Sequence, residues 1–172
     1  MLSRNDCLKL LDKYGIEGNV LEHSLKVEEV AIFLAKRFKE KNVDVNLELV
    51  SRGALLHDIG KVVADHTKMN HIDAGTIILR GEGFYDLAEI CRTHAISFFI
   101  DKNFLLVSLE QKIVNYADKR VLGDKLVSLN ERLVYLKKRY ISDEQTFLEI
   151  KKNLEFLEKE IFDVLKIDKK LY

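Results

Sequence analysis

No proline interrupts this chain of 172 residues, and only eight of its positions are glycine. A strand-and-turn fold needs both residues at its corners, because glycine supplies left-handed backbone and proline presets turn dihedrals. Their scarcity effectively rules out an all-β domain. Helices must then bury the 47% of positions that are hydrophobic. The length fits one domain, or one domain with a helical appendage, and suffices for a real core.

Charge and cysteine usage narrow the surroundings. The 28 Lys+Arg balance the 28 Asp+Glu, so no extended nucleic-acid surface and no affinity for an acidic membrane are expected. Nucleic acid stays open as a substrate. No stretch approaches the ~20 apolar residues of a membrane span, and the N-terminus lacks the apolar core of a signal peptide. Cys7 and Cys91 lie too far apart in sequence to form a metal knuckle or a disulfide framework. A cytoplasmic protein is the expectation.

Helical signals run almost end to end. Ser3 with Asp6 resembles a capping box ahead of Cys7, Leu8, Leu10 and Leu11, and Gly15 offers a stop. Asn19 with Glu22 opens a long helix carrying Leu25, Val27, Val30, Ala31, Leu34 and Phe38 on one face and ending near Asn42. A third helix starts around Asn46 and runs into His57, with Gly60 breaking it. Shorter helices are predicted over 71–80, ended by Gly81 and Gly83, and over 84–95. The segment 96–107, with Phe98, Phe99, Ile100, Phe104, Leu105 and Leu106, is a strand-like connection or a lid, its apolar run being too short to show a period. Ser108 with Gln111 caps a helix through Ile113, Val114 and Ala117.

The last third changes character. Leu126, Leu129, Leu133, Leu136 and Tyr140 step by three and four. Phe147, Ile150, Leu154, Leu157, Ile161 and Val164 repeat the pattern after a break at Ser142-Asp-Glu-Gln145, which reads as another capping box. Phe156 and Phe162 lie outside this second seam and widen its apolar face. Two such seams joined by a short turn predict a C-terminal antiparallel helical hairpin over 126–172. It either packs onto the preceding domain (1–125) or pairs two copies in a homodimer.

The chemistry-bearing residues cluster. All five histidines fall between 23 and 94, and the central motif is His57-Asp58-Ile59-Gly60-Lys61 at the end of an apolar helix. Imidazole and carboxylate both ligate divalent first-row metals, and Asp has two oxygens with which to bridge a pair of ions. Adjacent helical residues point ~100° apart, so both reach one ion only if it lies between their directions. Gly60 would give the backbone freedom for that approach. A surface helix end is the plainer reading, but Ala54-Leu55-Leu56 drives this helix into a core. Buried there without partners, His and Asp would each carry a heavy desolvation cost. A metal answers it most simply.

His23, then Leu-Leu-His57-Asp58-Ile-Gly-Lys61, then Tyr-Ala-Asp118-Lys resembles the HD superfamily of metal-dependent phosphohydrolases in its HDIG form, over about residues 19–125. The two-metal branch, which includes the bacterial diadenosine tetraphosphate hydrolases, places further histidines where His71 and His94 stand. The resemblance implies an all-α HD bundle in which His23, His57, Asp58 and Asp118 hold one ion, and Asp58 bridges to a second held by His71 and His94. Each has a plainer alternative: a satisfied core histidine for His23, a helix-end carboxylate for Asp118, an N-cap neighbour for His71 and a last-turn dipole partner for His94. His66 is expected in an exposed loop, and Cys91 as a buried inert thiol.

That resemblance further implies hydrolysis of a phosphoester or phosphoanhydride in a small phosphorylated substrate, foremost a nucleotide. Water at the metal centre would attack phosphorus, with Asp58 and Lys61 as the catalytic pair. Lys61, Arg80, Arg92, Lys119 and Arg120 are the candidate phosphate-binding cations; each is otherwise an ordinary surface charge. An imidazole-rich shell favours two ions of iron, manganese, cobalt or nickel over magnesium. Two departures are visible: a chain without proline lacks the Gly-Tyr-Pro signature of the cyclic-di-nucleotide enzymes, and Arg120-Val121-Leu122-Gly123-Asp124 replaces the Ile-Glu and proline that follow Ala-Asp-Lys in the diadenosine tetraphosphate hydrolases. The rival functions are a di-iron oxygenase of the same superfamily and a non-catalytic helical interaction protein with a residual metal site.

Overall fold

The structure, a computed structural model, describes residues 2–100 and 108–170. Its first three helices follow from their caps and stripes. In α1 (Arg4–Lys13) the Ser3 hydroxyl accepts from the Asp6 N–H while Asp6 accepts from the Ser3 N–H, and the chain leaves through Gly15 at φ +71°. α2 (Gly18–Glu40) starts slightly before Asn19, at Glu17, without a side-chain cap. It ends where Asn42 turns left-handed at φ +58°. Asn46 caps α3 (Leu47–Leu56) by accepting from the Leu49 N–H.

α3 ends at Leu56. The residues 57–60 form a buried turn, and α4 (Lys61–Thr67) follows directly. α4 buries none of its residues, so it lacks the apolar stripe by which a helix is recognised, and His66 is exposed on it. Asn70 caps α5 (His71–Gly81), and α6 (Tyr85–Thr93) leads to a 3-10 turn at Ile96–Phe99 whose Phe99 is fully buried. Phe104, Leu105 and Leu106 lie outside the described residues. α7 (Leu109–Asp118) begins with the capping box of Ser108 and Gln111.

A feature absent from the helical reading comes next. Val121–Leu122 (β1) and Lys125–Leu126 (β2) pair antiparallel, Val121 opposite Leu126 and Leu122 opposite Lys125, around a two-residue loop with Gly123 at φ +62°. Two-residue strands are too short to display a period of two. Leu126 therefore belongs to this ribbon, and α8 (Leu129–Tyr140) starts after a capping box of Ser128 and Glu131.

α9 (Glu144–Leu165) is capped by Asp143, which accepts from the Thr146 N–H, rather than by Ser142. Ile150, Leu154, Leu157, Ile161 and Leu165 are buried, whereas Val164 and Phe156 are exposed and Phe162 is buried. The buried row follows 3.6 residues per turn. A strict seven-residue seam would have kept Val164, but a straight helix drifts ~20° per heptad and brings Leu165 inward instead. The principal neighbours of α9 are α7, the 3-10 turn and α2. Its buried row and those of α2, α7 and α8 share one hydrophobic core. α1, α3, α5 and α6 enclose a second.

Gly60 joins α5 to the His57-Asp58 turn, for a reason other than backbone freedom. Its φ of −80° is open to any residue. A Cβ there would lie 2.1 Å from the His71 carbonyl oxygen and 2.3 Å from the Gly75 nitrogen. Gly60 and Gly75 thus let two backbones touch, which sets His71 beside the motif.

Candidate metal centre

Four helices and one turn bring six side chains together, five of them lining one cavity and His57 buried beside them. His23 comes from the first half of α2, His57 and Asp58 from the turn after α3, His71 from the start of α5, His94 from the C-cap of α6 and Asp118 from the end of α7. Helix ends can do this because their backbone is released from the helical ladder. Of the six, only His71 is more than slightly exposed.

The two oxygens of Asp58 face different partners. Oδ2 lies 3.3 Å from His57 Nε2 and 3.8 Å from His23 Nε2; Oδ1 lies 3.5 Å from His94 Nε2 and 3.7 Å from His71 Nε2. Asp118 Oδ1 stands on the first side, 3.2 Å from His23 Nε2 and 3.9 Å from His57 Nε2. Ligand atoms held about 2.1 Å from one ion at about 90–110° would be about 3.0–3.4 Å apart. The observed spacings are close to that, and they form two groups that share one carboxylate.

The imidazoles are oriented for ligation. His57 Nδ1 donates to the Ala54 carbonyl at 2.7 Å, His23 Nδ1 to the Gly123 carbonyl at 2.8 Å, and His94 Nδ1 to the Cys91 carbonyl. With the proton fixed on Nδ1, each ring turns the lone pair of Nε2 toward the carboxylates, as metal-bound histidines do. His57 Nε2 is buried and makes no hydrogen bond. A divalent cation would supply the missing partner, so these residues fit a metal.

Electrostatics favour the same state at His94, His71 and the two carboxylates, but not at His57. Burial pushes His94 down to about 4 and also lowers His71, so both are neutral ligands near pH 7. Burial pulls upward on the carboxyls of Asp58 and Asp118. Yet His57 and His94 around Asp58, and Lys119 and His23 around Asp118, outweigh it and hold both well below the usual range. For His57, burial opposes protonation, but Asp58 and Asp118 win and raise it. A positive charge is therefore wanted between the carboxylates.

The cavity is about 750 Å³ in volume and includes Lys61, Lys119, Arg132 and Tyr140 in its lining. Lys61 Nζ lies 2.6 Å from Asp58 Oδ2 with its side chain 38% exposed, whereas Lys119 is buried and bonded to Asp118 and to the His94 carbonyl at 2.8 Å. The other predicted phosphate-binding cations are not brought here. Arg80 and Arg92 both pair with Glu89, at 2.8 and 2.9 Å, on the outer surface of α5 and α6. Arg120 is buried on the ribbon side, donating to Tyr116 Oη at 2.6 Å and to the Val127 carbonyl at 2.7 Å. Nearness in sequence to a ligand does not fix direction, since helix neighbours diverge by ~100°.

Arg132 is passed over by the seam of α8, and Tyr140, read there as a seam residue, is instead exposed and lines the cavity. The signal available is an arginine between Leu129 and Leu133, flanking the buried stripe.

The model of the family described as "HD domain" matches residues 20–136. An uncharacterised protein of Methanocaldococcus jannaschii is 38% identical over 132 residues, which cover 70% of this chain and 77% of that protein. A tRNA (cytidine(56)-2'-O)-methyltransferase of Thermoplasma volcanium is 33% identical over 148 residues, 80% of this chain but 42% of the enzyme. Ribonuclease Y of Fervidobacterium nodosum is 37% identical over 79 residues, 46% of this chain and 14% of the nuclease. No solved structure gives a significant match. The matched span begins three residues before His23 and continues past Asp118 into α8, taking in the entire shared-carboxylate cluster: the chain belongs to the HD domain family.

Proposed function

We propose that this chain is a metal-dependent phosphohydrolase that cleaves a phosphoester or phosphoanhydride bond, with a nucleotide as its substrate. The observation that carries this is Asp58, whose two oxygens face separate histidine pairs on the floor of one cavity. His23, His57, Asp58 and Asp118 would hold one divalent ion, and Asp58, His71 and His94 a second. The chemistry such ions would supply there is polarisation of phosphoryl oxygens and a lowered pKa for bound water.

The chain's own residues supply the rest. Asp58, Asp65 and Asp118 balance Lys61, Lys119 and Arg132 around the cavity. Two divalent ions would thus leave about four positive charges to be met by the substrate, which favours a phosphorylated polyanion. Lys61 is kept protonated by Asp58 and Asp118 against the pull of burial, and its partial exposure lets the ammonium donate to a phosphoryl oxygen. Lys119 acts on the protein instead: buried beside Asp118, it holds that carboxylate in place. Ribonuclease Y and the tRNA methyltransferase bear names that refer to RNA, which supports a ribonucleotide among the possible phosphate esters.

The test is phosphate release from a panel of nucleotides and from bis(p-nitrophenyl) phosphate. Protein stripped of metal would be reloaded separately with manganese, iron(II), cobalt, nickel and magnesium. Turnover is expected only with metal, best with an imidazole-compatible ion, and lost at least a hundredfold in Asp58→Ala. Equal turnover by that variant, or none by the loaded parent on any phosphate ester, would overturn the proposal.

A further inference from the structure

One face of α8 meets the metal cavity without contributing a ligand to it. Arg132, Leu136 and Tyr140, each one turn after the last, all line the cavity. Eight residues of helix span about 12 Å, so the stripe runs from the carboxylates outward. At its inner end Arg132 Nη2 is 3.5 Å from Asp118 Oδ1, too far for a good hydrogen bond. The Arg132 side chain is only 13% exposed, and its buried Nε has no hydrogen-bond partner. A buried guanidinium with an unused donor is costly. Planar forks of this kind are matched by the paired oxygens of a phosphate.

The outer end is aromatic. Arg132 lies over the Tyr135 ring at 5.6 Å, Tyr135 meets Tyr140 edge to face at 6.2 Å, and Arg139 donates to the Tyr140 hydroxyl at 3.1 Å. These contacts steady Tyr140, yet its residue surface is 62% exposed. An oriented tyrosine left open at the edge of a charged cavity is a surface on which a flat ring can stack.

We propose that α8 is the substrate-selecting wall of the site, with Arg132 binding the phosphoryl group and Tyr140 stacking on the base of a nucleotide. The ribose would lie along Leu136 between them. This wall rests on the phosphohydrolase reading and adds to it the requirement for a planar base. No metal ligand is on α8, so its side chains can change without emptying the metal positions.

The experiment uses the full chain loaded with manganese. Binding of inorganic phosphate, ribose 5-phosphate and AMP is measured by calorimetry, alongside metal content and any turnover. The parent should bind AMP more tightly than ribose 5-phosphate. Tyr140→Ala should weaken AMP on the order of tenfold and leave ribose 5-phosphate unchanged, and Tyr140→Phe should retain the parent affinity. Arg132→Gln should weaken all three probes on the order of tenfold or more with metal content unchanged, and Arg132→Lys should recover part of the loss.

Equal binding of AMP and ribose 5-phosphate by the parent, or undiminished AMP binding by Tyr140→Ala, would overturn the base-stacking wall. Undiminished phosphate binding by Arg132→Gln, or loss of metal from it, would overturn the phosphate role and leave Arg132 as a positioning residue for Asp118. If these binding differences hold while no phosphate ester is hydrolysed, the phosphohydrolase reading fails and the wall stands.

Discussion

The carbonyl of Gly123 accepts a 2.8 Å hydrogen bond from His23 Nδ1 across 100 positions of sequence. It comes from the tip of the β-ribbon that follows Asp118, so the ribbon orients one candidate ligand immediately after the chain has supplied another. The local backbone makes this possible, because Gly123 sits at φ +62°.

Gly123→Ala places a side chain in that left-handed conformation, at a cost of roughly 1–2 kcal/mol. Strain there moves the carbonyl that fixes the His23 tautomer. Metal affinity is expected to fall about 10–100-fold, the usual effect of losing a hydrogen bond behind a ligand. Titration of stripped protein with manganese or cobalt measures it, and unchanged affinity would show that His23 needs no such anchor.

Gly60 gives a contrast between two glycines. A Cβ on Gly60 meets backbone atoms of His71 and Gly75 at 2.1–2.9 Å, whereas one on Gly81 meets nothing within 4 Å. Gly60→Ala is therefore expected to destabilise the fold by at least the ~1–3 kcal/mol of an overpacked core, lowering the melting temperature by several degrees. Gly81→Ala should melt within a degree or two of the parent. If both variants melt alike, the close approach of the two backbones is not what holds α5 in place.

His71 and His94 face Asp58 Oδ1, away from the His23 side. His94→Ala and His71→Ala should each bring the metal content down from about two ions to about one, with the fold retained. His94 should matter more, being buried where His71 is partly exposed. Elemental analysis decides it. A full complement in either variant would assign that histidine a structural role.

Both cysteines are buried, and burial raises Cys7 to about 11 and Cys91 to about 12. A raised thiol pKa leaves almost no thiolate at pH 8, and the thiolate is the reactive form. Neither cysteine should react with a thiol reagent at pH 8 until the protein is unfolded, when two should. Rapid labelling of the native chain would place one of them at the surface.

How much of this is legible in the sequence depends on side-chain chemistry more than on pattern. Ser3, Asn46 and Ser108 announce their helices because a cap is a local hydrogen bond between near neighbours. α4 gives no such sign, having neither a capping side chain nor a buried residue. The β-ribbon is too short for periodicity. The seam of α9 is readable up to Ile161, and fails at Val164 because a helix against a globular core keeps its 3.6-residue period.

The candidate site is legible in part for a similar reason. Histidine and aspartate in a specific order mark a candidate ligand set wherever the helices carry them, and the structure brings all six side chains together. Cations carry no such mark. Arg80 and Arg92 stand near presumed ligands in sequence, but their partner is Glu89. Arg132 reaches the cavity from a helix whose leucine seam suggests packing alone. Only the long-range fold distinguishes them.

The central claim is that Asp58 serves two ions at once, and the metal content of Asp58→Ala tests it most directly. Parent and variant would be stripped, reloaded with manganese or iron(II) under anaerobic conditions, desalted and analysed for bound metal per folded chain. The account predicts about two ions in the parent and a loss from both positions in the variant, leaving well under one. A variant that is folded and retains the metal content of its parent would contradict it.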